Sequence, residues 1–440
     1  MQNPVNELSV DALENYTGGR IHYGIWVLIV AVLTNFACIG LGRFAIGIII
    51  PEMGKGLGMT DTQLGVIVSG TFAGYLASTI ASGMLATRFG PRRIIAASML
   101  LVTAGMVVAG SAAGFLVALA GQLLIGIGAG GSNVPAIALV SRWYAEKLRG
   151  TASGIVLMGS GLGFALTGLL VPYLLGFYGV IGWRLSWFYL GIIVFVIAVI
   201  GVIVFRDNPS EIGVRPIGAI DDPVGLRPTQ GFKASQEKYV PQNNPIVDAP
   251  TRMGDIYLSK PLRKLGIIYF MFGFSYVIFT TFFAKYLIEE IGFNQASAGN
   301  LWFIIGVISI VSGFLWGMLS DRIGRKYALA IAFALQGLCL LVLAGFHHPG
   351  PVTAVSVLYA LTLWSIPTIM SAACADYVGA RFAPAALGMV TIFFGAGQVM
   401  SPWLSGYIKD IYHTFTAPFI ISALMSLIGA LLSVMLPKRA

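Results

Sequence analysis

Arg43 is the residue whose type and position most clearly suggest chemistry. It lies inside an apolar run of about residues 24–50, eight residues before Pro51. Each of the 18 Asp and Glu residues lies in a loop, in a tail or at the end of an apolar run. A buried cation without a partner is unfavourable, and a guanidinium group binds a carboxylate through two parallel hydrogen bonds. The position predicts an anion site; the alternative is that Arg43 extends to a polar surface or bonds backbone carbonyls.

Uncharged polar side chains inside other apolar runs are candidates to line the same cavity. The predicted substrate-binding set is Arg43, Asn35, Gln122, Asn133, Tyr269, Tyr276, Asn300 and Gln398. Asn35 and Arg43 are eight residues apart, about 80° around an α-helix, so they are expected to share a face. Such side chains also join helices to one another, which is the alternative interpretation for each.

Lys285 is a second and weaker candidate cation. It lies about twenty residues into an apolar run, close to Glu289 and Glu290. Long basic side chains near the end of a run extend to the surface. Lys285 is therefore expected to reach the surface and to pair with Glu289.

Other patterns predict no catalytic, cofactor or metal site. Gly126–Gly131 matches GxGxxG, but it lies in the middle of an apolar run without a preceding strand, so a dinucleotide site is not predicted. His347 and His348 are adjacent and do not have metal-ligand spacing. Neither a phosphate-binding loop motif nor a Ser/His/Asp set is present, and the chain is not expected to be an enzyme.

The elements that position these residues are long apolar segments. The chain is 57% hydrophobic and 10% charged, with a mean hydropathy of +0.84, whereas soluble domains carry roughly 25% charged residues. A helix needs about 20 apolar residues to cross a membrane. Twelve runs meet this length: about 24–50, 62–86, 92–111, 114–141, 149–176, 183–205, 262–288, 296–320, 326–346, 351–376, 384–408 and 415–436. They predict an all-α membrane protein with twelve transmembrane helices.

An internal repeat divides these runs into two sets of six. Gly83 and Gly317 begin similar loop sequences 234 residues apart, and Gly154 and Gly388 repeat the same offset. A constant offset between similar segments indicates two copies of one structural unit. The predicted divisions are an N-terminal tail 1–23, a six-helix bundle 24–205, a linker 206–261, a second bundle 262–436 and a tail 437–440.

The net charge of +9 comes from basic residues in loops and tails, and not from a surface that binds nucleic acid. Most of the 27 Lys and Arg residues fall in the tails, the linker and the loops on one predicted side. This asymmetry is the positive-inside rule. Both termini and the linker are therefore predicted to be cytoplasmic, and nucleic acid is not predicted as a partner.

The repeated loop sequences resemble the loop signature of the major facilitator superfamily. The second copy reads Gly317-x-x-x-Asp321-Arg322-x-Gly324-Arg325-Lys326, and the first has Thr87 where the signature has Asp. The matching residues form the predicted gating motif: Gly83, Arg88, Gly90, Arg92, Arg93, Gly317, Asp321, Arg322, Gly324, Arg325 and Lys326. The resemblance implies two pseudo-symmetric bundles, a central site and rocking of one bundle against the other. Asp321 is expected to bond a helix N-terminus or an arginine as a latch, more strongly than Thr87.

Two further segments resemble carriers of organic anions. Arg142–Gly154 is similar to a stretch of monocarboxylate and oxalate/formate porters, and Phe205–Gly213 to a segment of organic-anion porters. The arginine that is typical of the fourth span in proton-driven drug antiporters of the superfamily would fall near Gln122. The resemblance implies a monomeric secondary transporter of a small organic anion, a monocarboxylate in first place, in a bacterial inner membrane. Its partners would be the anion, the lipid bilayer and a proton as candidate coupling ion. The alternatives are an exporter of amphiphilic or drug-like compounds and a non-transporting membrane sensor.

Overall fold

A computed structural model describes residues 22–219, 259–379 and 382–437. All but the last two residues of the predicted N-terminal tail, most of the predicted linker and all but the first residue of the predicted C-terminal tail lie outside these residues. The described chain is almost entirely helical. Its twelve helices are α1 Tyr23–Leu57, α2 Asp61–Phe89, α3 Pro91–Gly110, α4 Phe115–Trp143, α5 Glu146–Tyr178, α6 Gly182–Val204, α7 Lys260–Glu289, α8 Gln295–Ile323, α9 Arg325–Gly345, α10 Pro349–Val378, α11 Ala383–Tyr412 and α12 Thr416–Val434.

These helices are long and apolar enough to cross a membrane. Eleven continuous apolar segments meet that criterion within the described ranges, and one of them, Leu148–Val204, has 57 residues. That segment covers α5 from Leu148 onward and all of α6, because a 3-10 turn, Gly179–Ile181, joins the two helices without a break. Gly179 in this turn has a φ of 55°. The prediction of twelve spans in an all-α membrane protein is confirmed.

The loops that reverse the chain depend on glycine at equivalent places of the repeat. Gly90, between α2 and α3, has a φ of 85°, and Gly324, between α8 and α9, has a φ of 87°. A side chain with a Cβ atom rarely adopts this conformation. Because the two glycines are 234 residues apart, the sequence repeat is also a repeat of backbone conformation.

The two halves, α1–α6 and α7–α12, meet near one end of the molecule. We call the end that contains the start of α2 the Asp61 end, and the opposite end, where α6 ends and α7 begins, the linker end. Small residues allow the halves to approach: a Cβ atom on Gly168 of α5 would lie 2.5 Å from the backbone nitrogen of Phe303 on α8. At the linker end the repeat-related Gly154 and Gly388 have open space instead, with nothing within 4 Å of an added Cβ.

The chain after α6 packs back on the first half. Ile217 pairs with Tyr144 as a short parallel bridge, and its amide donates to the carbonyl of Trp143 at 2.8 Å. The Asp207 carboxylate accepts from the backbone N–H of Arg92 at 2.8 Å. The free N–H groups of a helix start attract an anion. The first part of the predicted linker therefore continues the first bundle.

Substitution of Gly126 tests this close helix packing. An added Cβ there would collide with the backbone carbonyl of Thr71 on α2, whereas Gly176 of α5 has nothing within 4 Å. We expect Gly126→Val to destabilise the protein by about 1–3 kcal/mol and Gly176→Val to be nearly neutral. Because Cys38, Cys339 and Cys374 are free and buried, a thiol-reactive dye can report thermal unfolding in detergent. Equal midpoints for the two variants would contradict the packing described.

Candidate functional site

The site is centred on Arg43, at the end of an irregular stretch of α1. Residues Phe36–Arg43 form a π-helical segment, and such segments in α-helices are frequent at functional sites. The Arg43 side chain is buried, at 6% exposure, rather than extended to a surface.

Aromatic rings surround the Arg43 guanidinium group. Its central carbon lies 4.4 Å from the ring centre of Tyr75, 4.6 Å from that of Phe72 and 5.5 Å from that of Phe44. Each ring face attracts a cation, by about 2 kcal/mol when desolvated. Phe72 and Tyr75 are one helical turn apart on α2, so one stretch of that helix presents both.

On one edge of the Arg43 guanidinium group, only one of the two nitrogens has a hydrogen-bond partner. Arg43 Nη2 donates to the hydroxyl of Tyr276 on α7 at 2.7 Å. Nε, which points to the same edge as Nη2, is buried and has no hydrogen-bond partner. Among the described residues, none of the ion pairs involves Arg43. An Nε–Nη2 edge matches the two oxygens of a carboxylate.

The second half supplies a polar and aromatic wall opposite Arg43. Gln398 Nε2 on α11 also donates to the Tyr276 hydroxyl. The Tyr276 ring stacks on Phe272 at 4.7 Å and on Phe394 at 5.8 Å between centres. Tyr269 stacks on the same Phe394 at 4.4 Å. Of the predicted set, Tyr276 therefore contacts Arg43 directly. Gln398 is linked to Arg43 through the Tyr276 hydroxyl, and Tyr269 through the stack on Phe394.

Asn133 contacts the aromatic cage around Arg43, which consists of Phe44, Phe72 and Tyr75, whereas Gln122 does not. Asn133 Nδ2 on α4 donates to the Tyr75 hydroxyl at 3.1 Å, and its Oδ1 is buried without a partner. Gln122 lies fully buried in the first half, where its Oε1 accepts from Thr71 Oγ1 at 2.9 Å. Gln122 therefore links α2 to α4.

Asn35 and Asn300 are not brought to Arg43. Asn35 is 1% exposed, and neither polar atom of its side chain has a partner. The 80° estimate assumed α-helix throughout, but a π-helical turn contains more residues, so it does not apply across Phe36–Arg43. Asn300 is exposed on α8, close to the Asp61 end.

The expectation that Lys285 reaches the surface is wrong. Its side chain is buried, at 7% exposure, and its ammonium group contacts the carboxylate of Asp61 in the other half. The expected pair with Glu289 is present, at the longer distance of 3.6 Å. Asp61 lies at the start of α2, where a sequence pattern indicates only a helix cap.

The predicted gating motif lies at the linker end and makes local contacts in this structure. Asp321 pairs with Arg325 at 2.5 Å, and Arg325 also pairs with Asp376 of α10 at 3.1 Å. In the first copy, Thr87 Oγ1 donates to the Met84 carbonyl in its own helix. Asp321 therefore has the expected arginine partner, but inside its own half.

Hydrogen bonds between the halves indicate which end is closed. Besides Arg43–Tyr276, the described residues form such bonds from Trp302 to Thr167 at 3.2 Å, and from the Trp403 backbone to Ser69 at 3.2 Å. The remaining ones involve Asp61 and Thr62. All lie at the level of Arg43 or nearer the Asp61 end. The Asp61 end is therefore closed, and the halves separate toward the linker end.

Comparisons with known proteins agree with this architecture. Two family models match the chain: "Major Facilitator Superfamily" over residues 32–236 and "Uncharacterised MFS-type transporter YbfB" over residues 246–434. The chain is 26% identical to the "Probable sulfoacetate transporter SauU" of Cupriavidus necator, with 89% of each chain covered. It is 25% identical to the "Hexuronate transporter" of Bacillus subtilis, again with 89% of each covered.

A solved structure shares the fold at lower identity. It is a bacterial homolog of the human lysosomal transporter Spinster, in an inward-facing and unoccupied conformation. The TM-score is 0.75 at 16% identity, covering 95% of this chain and 97% of the other. The similarity supports two six-helix bundles and carries no information about the ligand.

The Thr71–Gln122 bond provides a test of whether Gln122 is structural. Thr71→Val leaves the buried Gln122 amide without its acceptor bond, and we expect a loss of about 1–3 kcal/mol. Adding Gln122→Leu removes the unpaired group, so the double variant should be more stable than the sum of the single effects predicts. Thermal unfolding of the four proteins measures this. Strictly additive losses would contradict the structural role.

Proposed function

Because the chain belongs to the major facilitator superfamily, we propose that it is a secondary transporter of a small organic anion, with a monocarboxylate as the first candidate. The bundles would rock against each other and expose the Arg43 site to each side in turn. The closed Asp61 end and the separated linker end correspond to one of the two access states.

The main support for this proposal is the edge of the Arg43 guanidinium group on which Nη2 is bonded and Nε is not. The Tyr276 hydroxyl occupies the position that one carboxylate oxygen would take on Nη2, while Nε has no partner. An incoming carboxylate would bond both nitrogens and supply the negative charge that the described residues around Arg43 lack. Tyr276 would then donate its own proton to the same carboxylate, so that one anion contacts both halves.

The names of the relatives support this chemical class. Sulfoacetate, which carries a sulfonate as well as a carboxylate, and hexuronates, which carry one carboxylate, are small organic acids, and both transporters align with most of this chain. The single cation in the site best matches an acid with one carboxylate, as in a hexuronate, because a second negative charge would need its own partner in a dry interior. This is why a monocarboxylate comes first.

The distribution of basic residues orients the molecule in this proposal. The linker end carries the gating-motif arginines, so it would be cytoplasmic, with both termini on that side. The described conformation then opens to the cytoplasm, and a bacterial inner membrane is the proposed location. A proton is the candidate coupling ion and would travel with the substrate carboxylate; in the alternative, the charge is balanced by Arg43 moving between environments.

The runner-up is export of amphiphilic compounds. The aromatic wall of Tyr269, Phe272 and Phe394 would suit an apolar substrate body. Arg43 would repel cationic drugs, so even this alternative favours anionic compounds.

Substitution of Arg43 tests the proposed function. We expect Arg43→Ala to abolish uptake of the transported anion into proteoliposomes, and Arg43→Lys to restore little of it because an ammonium group lacks the two-nitrogen edge. The panel would contain labelled lactate, pyruvate, formate, oxalate and tartrate, with and without an inward proton gradient. Accumulation above equilibrium only with the gradient would support proton symport.

A matched control separates loss of the site from loss of positive charge. Lys55 is exposed, and among the described residues it pairs only with Glu52 of its own helix, at 2.8 Å. Lys55→Ala should therefore transport normally. Normal uptake by a folded Arg43→Ala protein would refute the site. If no anion enters with the native protein, the exporter alternative gains weight.

The two copies of the gating motif predict unequal effects on conformation. Asp321 has a charge that can bond across the halves when the linker end closes, whereas Thr87 has none. We expect Asp321→Asn to shift the population toward an open linker end more than Thr87→Val does. Distances between spin labels at the linker ends of the two bundles measure this shift. Equal shifts would contradict the asymmetry.

A further inference from the structure

Two buried polar atoms at the Arg43 site have no hydrogen-bond partner among the described residues. One is Nε of Arg43 itself, and the other is Oδ1 of Asn133. A buried polar atom that stays unpaired costs free energy, which a ligand recovers by bonding it. A substrate with one carboxylate and one further polar group, joined by an apolar body, would pair both atoms.

Tyr75 measures the span between these two atoms. The guanidinium carbon of Arg43 lies 4.4 Å from the centre of the Tyr75 ring, and the Tyr75 hydroxyl at the tip of that ring accepts from Asn133 Nδ2 at 3.1 Å. Asn133 therefore lies about one aromatic ring away from Arg43. A benzene ring separates a carboxylate from a hydroxyl on its opposite side by a comparable span. Because a hydroxyl group both donates and accepts, it can bond the free end of the Asn133 amide in either orientation of that amide.

The backbone of α10 is interrupted beside this site. Residues 361–364 form turns between two helical stretches, Pro349–Ala360 and Ser365–Val378. Side chains of α8 and α9 bond the backbone groups that the interruption leaves free: Ser312, Trp316 and Gln336. Non-helical backbone at membrane depth is tolerated where it is buried in protein or lines a cavity. These bonds therefore fix the position of the last residue of the turn, Trp364.

Trp364 has a partly free ring next to Arg43. Its ring centre lies 5.7 Å from that of Phe44 at an angle of 61°, and 6.4 Å from that of Tyr276 at 60°. Phe44 lies against the Arg43 guanidinium group and Tyr276 bonds it, so Trp364 adjoins the site from the second half. Phe44 and Tyr276 are buried, whereas Trp364 is partly exposed. A ring with free surface favours an aromatic partner through stacked or edge-to-face contact, beyond the effect of the buried area alone.

We propose that the substrate of this site is an aromatic monocarboxylate that carries a hydroxyl group on its ring. Its carboxylate binds Nε and Nη2 of Arg43, its ring lies beside Tyr75 and packs on Trp364, and its hydroxyl bonds Asn133. Asn133 and Trp364 are then the residues that determine specificity. This inference rests on the proposed function, because it requires the anion site at Arg43, and it narrows the substrate to one chemical class.

Four acids test this class in titration calorimetry with the purified full-length protein: benzoate, para-hydroxybenzoate, cyclohexanecarboxylate and glucuronate. We expect benzoate to bind roughly two- to tenfold more tightly than cyclohexanecarboxylate, because a saturated ring loses the aromatic contact. The bond to Asn133 should give para-hydroxybenzoate a further gain of roughly two- to tenfold over benzoate. Glucuronate has one carboxylate and several hydroxyl groups on a saturated ring, and it should bind more weakly than benzoate.

Variants assign each preference to its residue. Asn133→Leu should remove the difference in affinity between para-hydroxybenzoate and benzoate. Trp364→Leu should remove the difference between benzoate and cyclohexanecarboxylate, whereas Trp364→Phe should retain it because the new side chain is also aromatic. Trp26→Leu is the matched control, since Trp26 is 47% exposed on α1, and it should change none of the affinities.

The outcomes separate this inference from the proposed function on which it rests. Equal affinities for benzoate and cyclohexanecarboxylate, or tighter binding of glucuronate than of benzoate, would overturn the aromatic class. If that binding is also lost in Arg43→Ala, the anion site of the proposed function still stands. If none of the four acids binds the native protein, or if binding persists in Arg43→Ala, both the anion site and this inference are wrong.

Discussion

The uncompensated charge of Arg43 is the constraint on which the rest of the site depends. Desolvating an ion costs several kcal/mol, and the described structure offsets this with neutral groups: three aromatic faces and one hydroxyl. A desolvated cation–π contact contributes about 2 kcal/mol, and a hydrogen bond to a charged group about 1.5–3 kcal/mol. These contributions are similar in size to the cost, so Arg43 is tolerated, but its Nε stays unsatisfied. An anion supplies what neutral groups do not.

The same residue connects binding to the arrangement of the two halves. Arg43 belongs to the first half and Tyr276 to the second. Their hydrogen bond marks the level from which the described halves separate toward the linker end. Nearer the Asp61 end, glycines at Gly47, Gly65 and Gly168 allow helices of opposite halves to touch. Toward the linker end, the charged motif around Asp321 is bonded within its own half. In this conformation the contacts between the halves therefore lie at the Asp61 end, and the charged motif at the linker end does not join the halves.

Much of the fold is predictable because its determinants are local: the length of apolar runs sets the helices, and glycines such as Gly90 and Gly324 set the turns. Arg43, Tyr276, Gln398 and Asn133 are identifiable as polar residues in apolar runs. The cage residues Phe72 and Tyr75 are not, although two aromatic residues one turn apart are a usable signal. Partners such as Asp61 and Lys285 are 224 residues apart, and the π-helical turn before Arg43 depends on packing that no local pattern encodes.

The most direct test of the account is a structure of the protein with its transported carboxylate bound. A bromine-substituted form of whichever anion the proteoliposomes accumulate would be located by its anomalous scattering, with the native protein and the Arg43→Ala variant prepared in the same way. We expect the carboxylate on Nε and Nη2 of Arg43, with the Tyr276 hydroxyl turned toward it, and no bound anion in the variant. A carboxylate bound elsewhere while Arg43 still bonds Tyr276 would contradict it.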